Sequence, residues 1–240
     1  KQKRDDLSLS SMKRILDTRT RKAQNNQTNP KAMKKITSTL ITLIAVSVLS
    51  SADNHSKSLF NGKDLTGWQD RNGKESKWEV VDGTLQGKKK TGDIWSKERF
   101  GDFILSLEFK TTGNSGIFFR TDNPKNPVQT GIEVQVERPN GPNKHSVGAL
   151  YDLVPPKKNN ATTGWNKVKI TAKDNMITVE MNGEVINGMD LNKWTEPNKN
   201  PDGSKNKYKT PLKDFKREGH IGFQDHGHLV SYRNIKIEKL

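Results

Sequence analysis

Five polar residues with acid-base or hydrogen-bonding side chains lie in short segments of apolar residues. Glu133 and Gln135 alternate with the apolar residues of "IEVQV", Arg120 follows "GIFF", and Gln224 and His226 belong to "FQDHG". Successive side chains of a strand point to opposite faces, so each polar residue can face away from a core that its neighbours enter. A carboxyl and an imidazole can transfer protons, and a guanidinium can stabilise an oxyanion. The five residues could therefore form one site if their strands share a sheet.

Simpler structural roles explain the same residues. Glu133 and Arg120 could form a cross-strand ion pair, with Gln135 exposed to solvent. The segment "QDHG" could be a turn in which Asp225 and His226 cap backbone groups. These alternatives stay open, because only the strand order decides whether the residues meet.

The elements that must position these residues are short strands. In "FILSLEFK", Phe103, Leu105 and Leu107 alternate with polar side chains, which is the period of a half-buried antiparallel strand. Similar runs occur at residues 78–81, 116–120, 132–137, 150–154, 165–172, 176–181, 184–187, 220–223 and 230–240. The sequence after residue 60 therefore predicts strands, and no stretch of it keeps a helical period.

Turn signals separate the predicted strands. Asp82-Gly83, residues 173–175 and Asn182-Gly183 each lie between two runs, and Asn-Gly is a strong hairpin signal. Many short antiparallel strands in one domain predict an all-β fold, a two-sheet antiparallel sandwich of the jelly-roll kind. Residues 192–218 contain three prolines and many lysines and asparagines, and are predicted to form a lid or rim, with disorder as the alternative.

The N-terminal segment has the pattern of an export signal. Residues 33–52 start at Met33, continue through two lysines into an apolar run and end at Ser50-Ser51-Ala52, which predicts a signal peptide and a mature chain that starts at Asp53. A short membrane anchor is the alternative, but the run is shorter than the roughly 20 residues of a bilayer span. No cysteine follows the cleavage site, so a lipid anchor is not expected, and we expect a periplasmic or extracellular protein with no membrane association after cleavage.

The residues before this signal, 1–32, are polar and without apolar periodicity, and are predicted to be disordered. An over-extended gene model with its true start at Met33 explains them, and an authentic basic extension is the alternative. Residues 53–240 are then predicted to form one jelly-roll domain, a suitable length for a single core.

Net charge is a weak indicator of partners here. The chain carries a formal charge of +15, but residues 1–52 hold 11 of its 42 basic and 3 of its 27 acidic residues, which leaves +7 for the rest. Scattered lysines of this kind indicate a solvated surface, and no nucleic-acid partner is expected. The absence of cysteine, of a Gly-rich phosphate loop and of a G-x-S-x-G motif excludes disulfide stapling, thiol chemistry and several enzyme classes.

Seven motifs occur in a familiar order: "LFNGKDLTGW" (59–68), "WEVVDGTLQG" (78–87), "FGDFILSLEFK" (100–110), "NSGIFFR" (114–120), "IEVQV" (132–136), "GALYD" (148–152), and "GHIGFQDHG" with "VSYRNIKI" (219–237). In these motifs the chain resembles the 3-keto-disaccharide hydrolase family over about residues 57–240. The resemblance implies a concanavalin A-like jelly roll. It also implies, in exported bacterial proteins, cleavage of glycosides whose sugar has first been oxidised at C3.

The implied reaction needs few groups. A ketone at C3 acidifies the hydrogen on C2, so a base can remove it, the C1 substituent can leave by elimination, and water can add to the enone. Glu133 or His226 is the predicted base, with the other as the acid or a metal ligand, and Arg120 is the predicted oxyanion group. Gln135 and Gln224 would hold sugar hydroxyls.

Further contacts and a metal site are suggested by residue type, and the partners by the implied reaction. Tyr151, Asp152 and Trp194 could add groove contacts, although a buried Tyr151 with a locally satisfied hydroxyl is an equal alternative. A divalent ion could be held by Glu133 and His226 and would polarise the ketone. The partner is a glycoside or oligosaccharide, supplied by a sugar 3-oxidoreductase.

Two other functions fit parts of the pattern. Jelly-roll glucanases carry Glu-x-Asp-x-Glu, but "EVQVE" has Gln135 at the centre, and alpha carbons four positions apart on a strand are about 13 Å apart, too far for direct retaining hydrolysis. A non-catalytic, lectin-like carbohydrate-binding module would need an aromatic platform, for which Trp68, Trp95, Trp165 and Trp194 are candidates. We expect Trp165 to pack inward and Trp194 to be the exposed one.

Overall fold

The computed structural model describes residues 56–240 and contains thirteen strands, a four-residue helix and two short 3-10 turns. The strands are β1 (Ser56–Ser58), β2 (Trp68–Asp70), β3 (Glu79–Val81), β4 (Thr84–Gly87), β5 (Ile94–Phe100), β6 (Phe103–Thr111), β7 (Ser115–Thr121), β8 (Ile132–Val136), β9 (Asn166–Lys173), β10 (Met176–Met181), β11 (Glu184–Asp190), β12 (Gly219–Phe223) and β13 (Val230–Lys239). The helix α1 spans Pro127–Thr130, and the 3-10 turns span Leu191–Lys193 and Leu212–Asp214.

Two antiparallel sheets contain all thirteen strands. The eight-stranded sheet has the order β11-β10-β9-β6-β13-β4-β3, and β1 pairs with β13 beside this path. The five-stranded sheet has the order β2-β5-β12-β7-β8. The prediction of an all-β, two-sheet antiparallel sandwich of the jelly-roll kind is confirmed.

The core is formed by every second side chain of each sheet. In β6, Phe103, Leu105, Leu107 and Phe109 are buried, while the residues between them are partly or fully exposed. In the five-stranded sheet the corresponding core residues include Ile117, Phe119, Val134 and Phe223. Burial of these apolar groups supplies the main free energy of folding, at about 25 cal/mol per Å².

The hairpin turns agree with the sequence prediction. Asp82-Gly83 joins β3 to β4 and Asn182-Gly183 joins β10 to β11, and all four residues have positive φ. That conformation is the one required by the two-residue turns whose twist matches antiparallel strands.

Most of the predicted strands are present, with two kinds of difference. The sequence pattern did not indicate β1, β2, β4 or β5, because these strands are short or, in β5, because charged residues interrupt the alternation. Residues 150–154 were predicted as a strand, but only isolated bridges of Leu150 with Val134 and Val154 occur there.

The segment predicted as a lid or rim is a packed loop. Trp194, Tyr208, Leu212 and Phe215 are all buried within it or against the core. Tyr208 is held at both ends, because its carbonyl accepts from the Asn198 backbone N–H and its hydroxyl donates to the carbonyl of residue 151. The alternative of disorder is wrong for this segment.

Two predicted regions lie outside the described residues, namely 1–32 and the signal peptide at 33–52. Within residues 56–240, no helix has the length and apolar character to cross a bilayer.

Candidate active site

The candidate site lies on the outer face of the five-stranded sheet, the face opposite the core. Cross-strand pairing places Trp95 of β5, Gly222 of β12, Phe118 of β7 and Glu133 of β8 in one row across this face. The Trp95 ring covers Gly222, where an added Cβ would lie 2.3 Å from a ring carbon, and it packs against Phe118 with ring centroids 5.5 Å apart. Glu133 therefore stands at the end of an aromatic floor.

Glu133 is the most unusual residue of this row. Its side chain is 2% exposed, and among residues 56–240 no hydrogen-bond partner of its carboxyl is found. The carboxyl leans over Gly116, where an added Cβ would lie 2.1 Å from Glu133 Oε1. Glycine at position 116 thus leaves the space that the carboxyl occupies.

A second row runs beside the first and contains Asp93, the charged group with the largest effect on the pKa of Glu133. Asp93 directly precedes Ile94, Gln224 directly follows Phe223, and these two apolar neighbours pair with each other across β5 and β12. The Gln224 backbone N–H donates to the Gly116 carbonyl at 3.0 Å, so this row also passes Gly116. Because Glu133 leans towards Gly116, its carboxyl is directed to the row that holds Asp93 and Gln224.

The two carboxyls have altered proton affinities. Burial, and secondly the negative charge of Asp93, raises the pKa of Glu133 to about 8, while the Lys207 ammonium acts in the opposite direction. Burial also raises the pKa of Asp93, and the charge of Asp225 adds to this. The Glu133 carboxyl therefore holds its proton at neutral pH.

A positive charge reaches the site from the long loop. Lys207 Nζ contacts the Tyr151 hydroxyl, and this hydrogen bond raises the pKa of the lysine. The Lys207 backbone N–H donates to Asp152 Oδ2 at 2.7 Å, and Asp152 Oδ1 lies 3.0 Å from His145 Nε2. The buried Asp152 thereby fixes the loop, and the Tyr151 backbone N–H joins this group to β8 by donating to the Glu133 carbonyl at 2.9 Å.

Two polar atoms on this face are buried without a hydrogen-bond partner in the part of the chain that the structure describes. They are Gln224 Oε1 and Trp95 Nε1. Buried polar groups are nearly always paired, so an unpaired donor and acceptor on the same sheet face as Glu133 are free to pair with a ligand. Gln135 is different, because its Nε2 already donates to Asn114 Oδ1 and to two backbone carbonyls, and it is buried and not exposed to solvent as one interpretation had it.

Arg120 does not join the group. Its φ of 49° breaks the alternation of β7, and its guanidinium, 1% exposed, donates to the carbonyls of Gly101 and Asp174 and to the carboxylate of Asp102. The alternative pairing of Arg120 with Glu133 is also wrong, because the partner is Asp102 at 2.6 Å. Arg120 ties loop ends together, and the expected convergence on Glu133 does not occur.

His226 lies at the rim of the site. It is exposed, and a positive charge on its ring lowers the pKa of Asp93, which places it near that carboxyl. Asp225 caps backbone groups as the turn interpretation predicted, because it accepts from the N–H groups of Gly92 and Gly227. A cavity of about 410 Å³ opens here and is lined by Asp93, Asp225, Gly92 and charged residues of segment 70–77.

The tryptophans do not form an exposed platform. Trp194, expected to be exposed, is 7% exposed and donates from Nε1 to Asn200 Oδ1 at 2.8 Å, because the loop packs around it. Trp68 and Trp95 are buried as well. Trp165, expected to pack inward, is half-buried on the other sheet beneath the Arg233 guanidinium. Of the four platform candidates only Trp165 has a partly exposed ring in residues 56–240, so the four tryptophans do not form a shared platform.

A metal site receives no support from the arrangement of side chains. Among the described residues, no group of three or more His, Asp or Glu side chains is close enough to hold an ion. The suggested pair of Glu133 and His226 combines a buried carboxyl with an exposed ring.

Two residues of this site, Asp93 and Lys207, were not predicted from the sequence, and Trp95 was predicted only as part of an aromatic platform. Asp93 precedes a strand that was not predicted, Trp95 belongs to that strand, and Lys207 is one of many lysines in its loop. A signal for the strand existed in the apolar pair Ile94-Trp95 after a Gly-Asp turn. No comparable signal distinguished Lys207.

Comparison with known proteins agrees with this architecture. The sequence model of the 3-keto-alpha-glucoside-1,2-lyase-like domain matches residues 55–238. A "3-keto-disaccharide hydrolase" of Bacteroides thetaiotaomicron is 30% identical in an alignment 225 residues long. The alignment covers 76% of this chain and 77% of that protein.

Two solved structures from Parabacteroides distasonis, each described as a "putative glycosyl hydrolase", are similar in fold as well as in sequence. The first is 31% identical, covers 77% of this chain and 99% of its own, and superposes with a TM-score of 0.69. The second is 27% identical, covers 77% and 94% of the two chains, and has a TM-score of 0.62. The resemblance seen in the seven motifs is confirmed: the chain belongs to the family of 3-keto-alpha-glucoside-1,2-lyase-like domains.

Proposed function

We propose that this protein cleaves glycosides whose sugar carries a ketone at C3, by removal of the C2 hydrogen, elimination of the C1 substituent and addition of water. The observation that carries the proposal is Glu133, a buried carboxyl held neutral on an outer sheet face. The description of the family as a 1,2-lyase agrees with elimination between C1 and C2.

Glu133 is the proton donor to the departing C1 oxygen. A sugar alkoxide is a poor leaving group, so the C1–O bond breaks readily only when a proton reaches that oxygen. Because its pKa is raised to about 8, Glu133 carries this proton at neutral pH, where an exposed glutamate would have lost it. The sequence alone did not decide whether Glu133 acts as the acid or the base. The buried environment of Glu133 favours the acid.

Lys207 stabilises the enolate oxygen that forms at C3. Its ammonium interacts electrostatically with Glu133 and is oriented by the Tyr151 hydroxyl. A positive charge near the developing oxyanion lowers the barrier most where water is excluded, as it is over the Trp95 and Phe118 floor. Lys207 thus takes the role that the sequence had suggested for Arg120.

The two unpaired groups bind the sugar. Gln224 Oε1 accepts a hydroxyl hydrogen, and Trp95 Nε1 donates to a ring or hydroxyl oxygen. A site whose buried polar groups lack partners discriminates strongly against ligands that cannot pair with them.

The test compares two leaving groups on the same 3-keto-glucosyl unit, a second sugar and 4-nitrophenol, with the unoxidised parents as blanks. We expect release from the keto compounds only. Glu133→Gln should slow sugar release by about 10²-fold or more but slow nitrophenol release much less, because nitrophenolate leaves without a proton.

Glu137→Gln is the matched control, since Glu137 follows the same strand but accepts from the Arg138 backbone N–H outside the site. Equal losses for both leaving groups in Glu133→Gln would refute the acid role. Saturable sugar binding without release from any compound would make the protein a binding module.

Export and substrate supply are part of the same proposal. The signal-like residues 33–52 support secretion to the periplasm or beyond, with Asp53 as the first residue after cleavage. The mass of the protein recovered from cell fractions tests this, and a cytoplasmic product with residues 33–52 intact would refute it. An oxidoreductase acting on the C3 hydroxyl must make the substrate, because unoxidised glycosides lack the acidic C2 hydrogen.

A further inference from the structure

We propose that Asp93 is the base that removes the C2 hydrogen, and that it forms with Glu133 a carboxyl pair in which one member accepts and the other donates a proton. The inference rests on the proposed function, since it assigns the second proton transfer of the same reaction. The residue lies in a segment without an evident motif, immediately before β5.

Asp93 is held on the same sheet face as Glu133. Asp93 lies on the outer face, because its neighbour Ile94 belongs to the core. Its Oδ1 accepts the Asp225 backbone N–H at 2.9 Å, which fixes the carboxyl next to Gln224. Glu133 leans over Gly116 towards the same row, so the two carboxyls approach from β5 and β8 with the intervening strands as the floor.

A cavity gives a substrate access to Asp93. Asp93 forms part of the wall of the cavity of about 410 Å³, a volume in the range of small-molecule sites. Glu133, in contrast, is almost fully buried. A substrate that enters this cavity therefore meets Asp93 first, because Glu133 is not part of the cavity wall.

The charged groups around Asp93 are consistent with its role as the base. The groups that face Asp93 are Glu133, Asp225, Arg71 and His226, and the Arg71 guanidinium favours its ionised form, as a positive charge on the His226 ring does. Burial keeps it more basic than an ordinary aspartate. The negative charge of Asp93 is one cause of the raised pKa of Glu133, so the pair combines a charged carboxylate with a carboxyl that holds its proton, as elimination requires.

His226 is the competing candidate for the base, as the sequence suggested. Its ring is exposed at the rim, whereas proton abstraction from carbon benefits from a positioned group in a site that excludes water. His226 therefore has an electrostatic influence on Asp93, and Asp93 is the acidic group whose charge acts on Glu133.

The proton and bond changes balance. Asp93 takes the proton from C2, the C1–C2 double bond forms, the C1–O bond breaks, and Glu133 gives its proton to the leaving oxygen. In the second half, the Glu133 carboxylate takes a proton from water as its oxygen bonds to C1, and Asp93 returns its proton to C2. The net reaction is addition of water across the glycosidic bond.

Hydrogen exchange at C2 separates the two roles. The probe is free 3-keto-glucose in D₂O, followed by NMR in the presence of the protein, because exchange needs a base but no leaving group. Wild type and Glu133→Gln should both exchange the C2 hydrogen, although only wild type cleaves the 3-keto disaccharide well. Asp93→Asn should lose exchange by about 10²-fold or more, and its Asn Oδ1 can keep the bond from the Asp225 N–H.

Glu137→Gln, outside the site, is the matched control and should exchange like wild type, whereas His226→Ala tests the competing base and should retain most of the exchange. Loss of exchange in His226→Ala with retention in Asp93→Asn would overturn the inference. So would normal exchange in Asp93→Asn. A wild-type protein that neither cleaves nor exchanges would instead refute the proposed function, and circular dichroism shows whether Asp93→Asn is folded.

Discussion

Replacing Glu133 with Gln is expected to stabilise the protein, and to do so increasingly as the pH rises from about 4.5 to about 8. In the unfolded chain the carboxyl has its ordinary pKa of 4.5, and in the folded protein burial and Asp93 raise the pKa to about 8. The folded state therefore binds the proton more tightly, so this contribution to stability is fully present below pH 4.5 and is lost as the pH passes through the folded pKa. Glutamine is neutral throughout and does not incur this loss.

The size of the effect follows from the two pKa values. One pKa unit corresponds to about 1.4 kcal/mol, so the loss reaches about 5 kcal/mol well above pH 8 and about 3 kcal/mol at pH 7. No discount for solvent screening applies, because the Glu133 side chain is 2% exposed. The destabilising carboxyl is the kind of cost that functional sites carry.

Urea unfolding of wild type and Glu133→Gln at pH 5, 7 and 9 measures the difference. We expect the two proteins to differ least at pH 5 and the variant to be more stable at pH 7 and 9. Glu137→Gln, which changes a partly buried carboxyl 3.8 Å from Arg138, should show no such divergence. A difference between wild type and Glu133→Gln that stays constant from pH 5 to 9 would refute the raised pKa and the acid role built on it.

Three further changes test individual parts of the site. Arg120→Ala should cost about 3 kcal/mol in urea unfolding, because it leaves Asp102 and two carbonyls without their partner, yet the pH dependence of cleavage should not change; a shifted pH profile would place Arg120 in the site after all. Lys207→Gln should lower kcat for the 3-keto disaccharide by about 10²-fold with a small change in KM, and an effect on KM alone would contradict its role at the enolate. Gly116→Ala should lower cleavage as much as Glu133→Gln, since the new methyl group occupies the space of the Glu133 carboxyl, and unchanged rates would show that this carboxyl is free to move.

The fold was largely predictable because its strands have one buried face. β6 and β10 show the period of two in their apolar residues, and both two-residue hairpins have the residues that positive φ favours. β5 was missed because the sequence of residues 96–99 is polar and charged although Trp95 and Phe100 are buried at its ends. The alternation of apolar and polar residues does not predict a strand such as β5, whose burial depends on residues distant in the sequence.

The site was predictable only in part, for a physical reason. Alternation placed Glu133 on the correct face, because β8 is regular. It failed at Arg120, where a left-handed backbone turns the side chain away, and a φ value is not visible in a sequence. Lys207 and Asp93 meet Glu133 through strand order and loop packing, which depend on contacts more than 35 residues apart.

The central position of β13 has a consequence for biosynthesis. This strand is the last of the thirteen, yet it lies between β6 and β4 and also pairs with β1, the first. Until residues 230–239 have left the ribosome, the larger sheet has a gap at its middle and β1 has no partner. Such long-range closure is slow. For a chain exported as proposed, the delay keeps the polypeptide unfolded and able to pass through a translocation channel.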